Sequence, residues 1–155
     1  GWCLLPESGQ VKRVFIVLHG YGGIEEPFYD LPFKDAALLF PCARGISRSS
    51  YPPISNNPLW HVLHDIQDRD KYVHGGCVED VWCAVSAALQ LFPQCAGRVG
   101  LLGISFGGGI GAMALAYDPR IQRAHFGITG GRFVKSMPRA MYLPTRLLNR
   151  LTYIL

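Results

Sequence analysis

The sequence lacks the features that mark several large classes of protein. No apolar run approaches the ~18 residues of a membrane-spanning helix, and Val14–Leu18 is only strand-sized, so we expect no membrane partner. Charged residues make up 17% of the chain and hydrophobic residues 49%, which excludes intrinsic disorder. The 18 glycines and 11 prolines follow no repeat, which excludes collagen-like and low-complexity chains. One folded domain with its own core remains.

Cysteine motifs and secretion signals are also missing. The cysteines are odd in number and none has C-x-x-C spacing: they are Cys3, Cys42, Cys77, Cys83 and Cys95. We therefore expect buried free thiols, as in a reducing compartment. The first residues do not form a basic segment followed by an apolar one, so we expect a cytoplasmic location.

Acidic residues are absent from residues 131–155, which carry five Lys and Arg side chains and account for the net charge of +4. Residues 1–130 hold ten basic and eleven acidic residues and are nearly neutral. A solvated helix face explains the basic tail more simply than a phosphate-binding surface, so we expect no nucleic-acid partner. Within the tail, 141–155 is compatible with a basic amphipathic helix or with unrelated sequence.

Apolar runs and helical spacing predict alternating strands and helices. The predicted strands are Val11–Leu18, Ala36–Phe40, Val99–Ile104 and Arg123–Ile128, and the predicted helices are Val78–Phe92 and Gly108–Tyr117. This alternation is typical of an α/β fold, a mostly parallel sheet with helices on both faces. We expect a single domain over residues 1–155, with a core of about 1–130.

The pentapeptide Gly-Ile-Ser-Phe-Gly at 103–107 lies between a predicted strand and a predicted helix. A nucleophile elbow needs its serine on such a sharp turn, with small residues on either side. Ser105 is therefore the candidate nucleophile. A glycine-rich turn that only lets a helix pack closely is the alternative.

A second glycine-rich turn, His19-Gly20-Tyr21-Gly22-Gly23, follows the first long strand. Acyl transfer builds negative charge on the former carbonyl oxygen, and two backbone N–H groups can stabilise it. The amides of Tyr21 and Phe106 are the candidate donors of this oxyanion hole.

Other kinds of site fit the sequence less well. His61 and His64 have helical spacing, with His74 and Cys77 nearby, but no set of ligands has the spacing of a metal site. No Gly-Lys-Ser/Thr follows the glycines at 103–109, so no Walker loop is expected, and without the later acidic residue of a dinucleotide fingerprint that motif is not expected either. We expect no metal and no cofactor.

Several separated segments carry a resemblance to a known family. They are HGYGG, PCARGISRSS, HVLHDIQDRDKYVHGGCVEDVWCAVSAALQLFP and GISFGGGIGAMALAYDPRI. Over about residues 3–128 they resemble acetyl xylan esterases and cephalosporin C deacetylases, the seventh carbohydrate esterase family of the α/β-hydrolase fold. The resemblance implies a partial α/β-hydrolase fold and an esterase that removes acetyl groups from sugars or related small esters.

The resemblance also implies roles for particular residues. Ser105 is the nucleophile, the Tyr21 and Phe106 amides form the oxyanion hole, and Arg44-Gly45 braces the structure near the site. The family usually has Gln after the Arg-Gly pair and after the nucleophile, where this chain has Ile46 and Phe106. The family forms hexamers, which allows a homo-oligomer here.

The acid and histidine of a catalytic triad normally follow the serine along this fold. After Ser105 the chain offers only Asp118 and His125, and the resemblance places the true partners on later loops, so we interpret both as structural. We therefore expect an esterase that lacks its base and acid within this sequence. The alternatives are an inactive pseudo-hydrolase that serves as a binding scaffold, and a complete short hydrolase that uses His125.

Overall fold

The computed structural model describes residues 1–27 and 31–127. Five strands are present in this part: β1 (Trp2–Leu4), β2 (Arg13–Leu18), β3 (Ala36–Phe40), β4 (Val99–Ile104) and β5 (Ile121–Gly127). The helices there are α1 (Pro58–His61), α2 (Val73–Leu91) and α3 (Phe106–Tyr117), with 3₁₀ turns at Ser47–Ser49 and Pro93–Cys95. The basic tail predicted for 131–155 lies outside the described residues.

The strands form one sheet in the order β1-β3-β2-β4-β5. β2 is parallel to β3 and β4, and β4 is parallel to β5, while the short β1 is antiparallel to β3. Parallel strands need long crossover connections, which α2 supplies between β3 and β4 and α3 supplies between β4 and β5. The predicted α/β fold with a mostly parallel sheet is confirmed.

The helices α2 and α3 cover one face of this sheet. Ile16 of β2 and Leu101 of β4 are fully buried against them, together with Val85 of α2. The two helices also contact each other, and the indole Nε1–H of Trp82 donates to the carbonyl oxygen of Ala114 at 3.1 Å. Apolar burial on this face accounts for most of the core.

In the part of the chain that the structure describes, loop residues between β2 and β3 pack on the second face of the sheet. The Phe15 ring stacks on Phe33 at 4.1 Å, and Ile24 and Leu31 lie in the same cluster. Crossovers between parallel strands are right-handed, and the steps from β3 to β4 and from β4 to β5 run in the same direction along the sheet. Both helices therefore pack on one face, and the oppositely directed connection from β2 to β3 crosses the other.

The five cysteines are free, as predicted, but two of them are not buried. Cys42, Cys77 and Cys95 are buried, whereas Cys3 and Cys83 are exposed. The prediction was wrong for Cys3 because it points away from the core between two inward residues of an edge strand, and for Cys83 because it lies off the buried stripe of α2. Neither long helix of the described part is both apolar and long enough to cross a bilayer.

Leu101→Ala tests the position of the core. The Leu101 side chain is fully buried, so we expect the free energy of unfolding to fall by about 2–5 kcal/mol. Leu91→Ala is the matched control, because Leu91 is 61% exposed at the end of α2 and should cost less than about 0.5 kcal/mol. Urea denaturation of both variants measures the difference, and equal losses would contradict this packing.

Candidate active site

Ser105 lies on the sharp turn between β4 and α3. Its backbone has φ 52° and ψ −115°, a conformation that non-glycine residues rarely adopt and that costs about 1–3 kcal/mol. The Ser105 N–H donates to the carbonyl oxygen of Gly127 at 3.0 Å, which ties the turn to the end of β5. The side chain is exposed at the carboxyl edge of the parallel strands, where ligands of open α/β sheets bind.

The two glycines around Ser105 are required by close backbone contacts. A Cβ on Gly103 would lie 2.6 Å from the carbonyl oxygen of Gly107, and a Cβ on Gly107 would lie 2.5 Å from the carbonyl oxygen of His19. Both obstacles are backbone atoms, which cannot move aside as a flexible side chain can. The start of α3 is thereby pressed against the end of β2.

The turn at 19–23 meets the elbow at this contact. A Cβ on Gly20 would lie 3.6 Å from the Ser105 Cβ, so the two turns are neighbours in space. The buried His19 ring holds the turn, because its Nε2 accepts from the Ala43 N–H at 3.0 Å and its Nδ1–H donates to the Gly20 carbonyl at 2.7 Å. Burial lowers the pKa of His19, which favours the neutral ring that this arrangement needs.

The two residues predicted to supply the oxyanion amides are in direct contact. The Tyr21 ring stacks on the Phe106 ring, with centroids 4.2 Å apart and an angle of 23° between the planes. The structure thus brings Ser105, Tyr21 and Phe106 to one place. Their roles in catalysis stay predictions.

Two buried histidines beside this stack were not predicted to belong to the site. The Tyr21 hydroxyl lies 2.9 Å from His74 Nε2 and 3.4 Å from His61 Nδ1. The His61 Nε2–H donates to the Arg44 carbonyl at 2.9 Å, and the Tyr72 hydroxyl lies 3.3 Å from His74 Nδ1. His61 and His74 therefore use all four ring nitrogens within the protein.

Sequence reasoning grouped His61 with His64, and with His74 and Cys77 nearby, only as a metal site that it rejected. The structure joins His61 to His74 through the Tyr21 hydroxyl, whereas His64 Nε2 lies 3.5 Å from an Asp65 carboxylate oxygen. Nothing in the local pattern indicates that α1 and the start of α2 bring His61 and His74 to the same tyrosine. Among residues 1–27 and 31–127, no group of three His, Cys, Asp or Glu side chains could hold a metal ion.

Burial dominates the acid–base behaviour of this cluster. Desolvation, with a smaller contribution from the nearby His61, lowers the pKa of His74 from its usual 6.5 to about 4. Desolvation also raises the pKa of the Tyr21 hydroxyl well above its usual range. At neutral pH His74 and Tyr21 are thus uncharged members of this hydrogen-bonded network.

Arg44 links the loop after β3 to α2. Its guanidinium binds Asp80 in a bidentate pair, with Nε–Oδ2 at 3.0 Å and Nη2–Oδ1 at 2.8 Å, and its backbone N–H donates to the same carboxylate at 3.2 Å. The guanidinium lies directly over Gly76, where any Cβ would overlap it. The backbone carbonyl of Arg44 accepts the hydrogen bond from His61 Nε2–H. The ion pair with Asp80 therefore also fixes the position of the group that binds His61.

The Ser105 hydroxyl makes no hydrogen bond to an imidazole in the described part of the chain. That part contains all five histidines of the sequence. His125 is exposed on β5, beside Leu102 of β4, and is not bonded to Ser105. Asp118 lies before β5, at the opposite edge of the sheet, where it binds Arg120 with contacts of 2.8 and 2.7 Å. Neither residue forms a triad with Ser105 here.

Comparison with known proteins supports the fold and leaves the family open. No protein-family model matches the chain, and no curated protein does. Among solved structures, TT1662 from Thermus thermophilus matches with a TM-score of 0.62 and 22% identity, over 92% of this chain and 57% of that one. The α/β hydrolase GrgF from Penicillium sp. sh18 matches with a TM-score of 0.58 and 21% identity, over 81% of this chain and 39% of that hydrolase. Esterase PE8 matches with a TM-score of 0.56 and 15% identity, over 84% of this chain and 65% of the esterase.

These similarities establish the architecture of the chain. It has a partial α/β-hydrolase fold and spans between 39% and 65% of the three structures described. At such low identity a structural likeness does not transfer a substrate or a catalytic residue. Membership of the seventh carbohydrate esterase family stays a prediction.

Gly107→Ala tests the contact between the elbow and β2. Its new Cβ would meet backbone atoms of His19 and Leu18, so we expect a loss of about 1–3 kcal/mol in the free energy of unfolding. Gly109→Ala in the same helix is the control: apart from the helix's own backbone, nothing lies within 4 Å of its Cβ, and better helix propensity should stabilise the protein slightly. Urea denaturation distinguishes them, and a neutral Gly107→Ala would refute the close approach.

The buried state of His74 predicts a pH dependence of stability. Its pKa is lower in the folded chain than in the unfolded chain, so the unfolded chain binds the proton first. Stability should be full above about pH 6.5 and fall as the pH decreases towards about 4. His74→Gln should reduce this slope, whereas His125→Gln, at an exposed position, should leave it unchanged. Urea denaturation across this pH range checks both, and identical slopes in all three proteins would disprove the effect.

Proposed function

We propose that this chain is the nucleophile-bearing part of a serine hydrolase that cleaves short acyl esters, with acetylated sugars as the favoured substrate class. The proposal depends on one observation above all. Ser105 has the strained backbone of a nucleophile elbow, and its turn lies against the glycine turn at 19–23. The esterase PE8 and the hydrolase GrgF, which share this architecture, are consistent with such chemistry.

In the proposed reaction the Ser105 oxygen attacks the acyl carbonyl carbon. The carbonyl oxygen becomes negatively charged and accepts hydrogen bonds from the Tyr21 and Phe106 amides. The alcohol leaves as the carbonyl re-forms, and water then hydrolyses the acyl-serine. The proton of Ser105 needs a general base, since a neutral hydroxyl is a weak nucleophile, and no histidine of this sequence occupies that position. In the whole enzyme the base and its acid would come from chain beyond this sequence.

An open groove next to the proposed oxyanion turn suits a polar alcohol. It has a volume of about 500 Å³, and Tyr21 and Gly22 are among the residues that line it. Glu25, Arg48 and Asn56 also line it and offer both donors and acceptors to hydroxyl groups. This lining favours a sugar over a long apolar alcohol.

A second candidate function is that of a pseudo-hydrolase, in which the same turns form a binding scaffold without turnover. The absence of an imidazole bonded to Ser105 in the described residues favours it. The two proposals differ in whether Ser105 can be acylated when a base is available.

Chemical rescue with imidazole separates the two. A general base typically contributes about 10²–10⁴-fold, so added imidazole should accelerate p-nitrophenol release from p-nitrophenyl acetate well beyond its own background reaction. Mass spectrometry should locate one acetyl group on Ser105. Ser105→Ala should reduce the rate to the imidazole background, and Ser8→Ala, at an exposed loop serine, should not.

Equal rates in the native chain and Ser105→Ala, with acetyl groups only on lysines, would contradict the esterase and support the scaffold. The exposed position of Ser105 means that imidazole and ester can both reach it. A negative result would therefore reflect the chemistry of the elbow rather than access.

A further inference from the structure

The rings around Tyr21 form a compact group that the proposed reaction does not use directly. We define the Tyr21 cluster as Tyr21, His61, His74 and Phe106. Besides the Tyr21–Phe106 stack, the His61 ring meets Tyr21 edge-on at 5.4 Å and Phe106 at 5.8 Å, and the His74 ring lies 5.5 Å from Phe106. The four side chains come from the turn after β2 and from α1, α2 and α3, so the cluster joins four segments at the site.

The hydrogen bonds of the cluster form a chain in which each group donates to the next, from the Tyr72 hydroxyl to the Arg44 carbonyl. The Arg44 carbonyl can only accept, so His61 Nε2 carries a proton, and in this tautomer its Nδ1 is an acceptor. The Tyr21 hydroxyl is then the donor to His61 Nδ1 and the acceptor from His74 Nε2–H. His74 Nδ1 in turn accepts from the Tyr72 hydroxyl. The Tyr21 hydroxyl thus connects both imidazoles, because it donates its proton to His61 and accepts the proton of His74.

Burial makes this connection costly to break. His61 is completely buried and His74 is 7% exposed, so a ring nitrogen that loses Tyr21 has little access to water. An unsatisfied buried polar group is unfavourable, which fixes the Tyr21 hydroxyl between the two rings. The Tyr21 ring is held in place at one end by these bonds and packs with its face on Phe106.

We propose that Tyr21 is a positioning residue: its hydroxyl, anchored on His61 and His74, fixes its ring against Phe106 and so holds the Tyr21 and Phe106 amides in register for the oxyanion. This inference rests on the proposed function, because the amides matter only if an acyl group is attacked at Ser105. A preorganised oxyanion hole binds the transition state more strongly than the ester. Its loss therefore lowers the maximal rate and leaves ester binding unchanged.

Tyr21→Phe tests the positioning role, since it keeps the ring stack and removes only the hydroxyl. In the imidazole-supported reaction with p-nitrophenyl acetate, we expect the maximal rate of Ser105-dependent p-nitrophenol release to fall about 10-fold or more. The ester concentration at half-maximal rate should change by less than about 2-fold. Tyr51→Phe makes the same chemical change at a half-exposed tyrosine outside the cluster and should change neither quantity.

Hydrogen exchange gives a second readout that needs no turnover. Tyr21→Phe should accelerate amide exchange in residues 19–24 and 103–108 while the rest of the chain exchanges as before. If Tyr21→Phe does not fold, His74→Phe keeps an aromatic ring but has no donor, so it removes the same hydrogen bond from the other side and carries the same expectations for rate and exchange.

The outcomes separate the two proposals. A native maximal rate in a folded Tyr21→Phe protein, or a loss that appears only in the half-saturating concentration, would overturn the positioning role and leave the esterase intact. Absence of any Ser105-dependent release in the native chain would overturn the proposed function and the positioning role together.

Discussion

The site depends on the close approach of two backbone turns at the carboxyl edge of the sheet. Gly107, at the start of α3, lies so near the end of β2 that any side chain there would meet the His19 carbonyl. This contact sets the strained conformation of Ser105 and places its turn beside Gly20. The hydrogen bonds of His19 then fix the second turn relative to β2 and the loop after β3. Without the close approach, Ser105 would be an ordinary exposed serine.

The surrounding polar groups divide into two kinds by their position on the sheet. At the carboxyl edge, His61, His74 and Tyr21 satisfy one another's hydrogen bonds, and burial keeps His74 and Tyr21 uncharged at neutral pH. At the opposite edge, Asp118 is buried but paired with Arg120, which lowers the pKa of its carboxyl group through their hydrogen bonds. Asp118 thus stabilises the entry into β5, at the edge of the sheet opposite to Ser105.

Much of this arrangement could be predicted from the sequence, because local signals were strong there. The bounds of β3 and β4 agree with the prediction, since short apolar runs that lead directly into Pro41 or into the turn at Ser105 admit few interpretations. β1 was missed because three residues on an antiparallel edge carry almost no pattern. The helix α2 begins at Val73, whereas the prediction began it at Val78 because Gly75 and Gly76 disfavour a helix. Gly76 is needed there because the distant Arg44 guanidinium occupies the space of a side chain. The Tyr21 cluster could not be predicted, because its members meet only in the folded chain.

The central claim is that Ser105 faces two amides that can hold an oxyanion. A crystal structure of the chain after reaction with a small phosphonate ester would test this most directly, because the tetrahedral phosphorus resembles the intermediate of acyl transfer. The account predicts a bond to the Ser105 oxygen and a phosphonyl oxygen about 2.7–3.1 Å from the backbone nitrogens of both Tyr21 and Phe106. A phosphonyl oxygen directed into solvent, or a phosphonate bound to another residue, would contradict it.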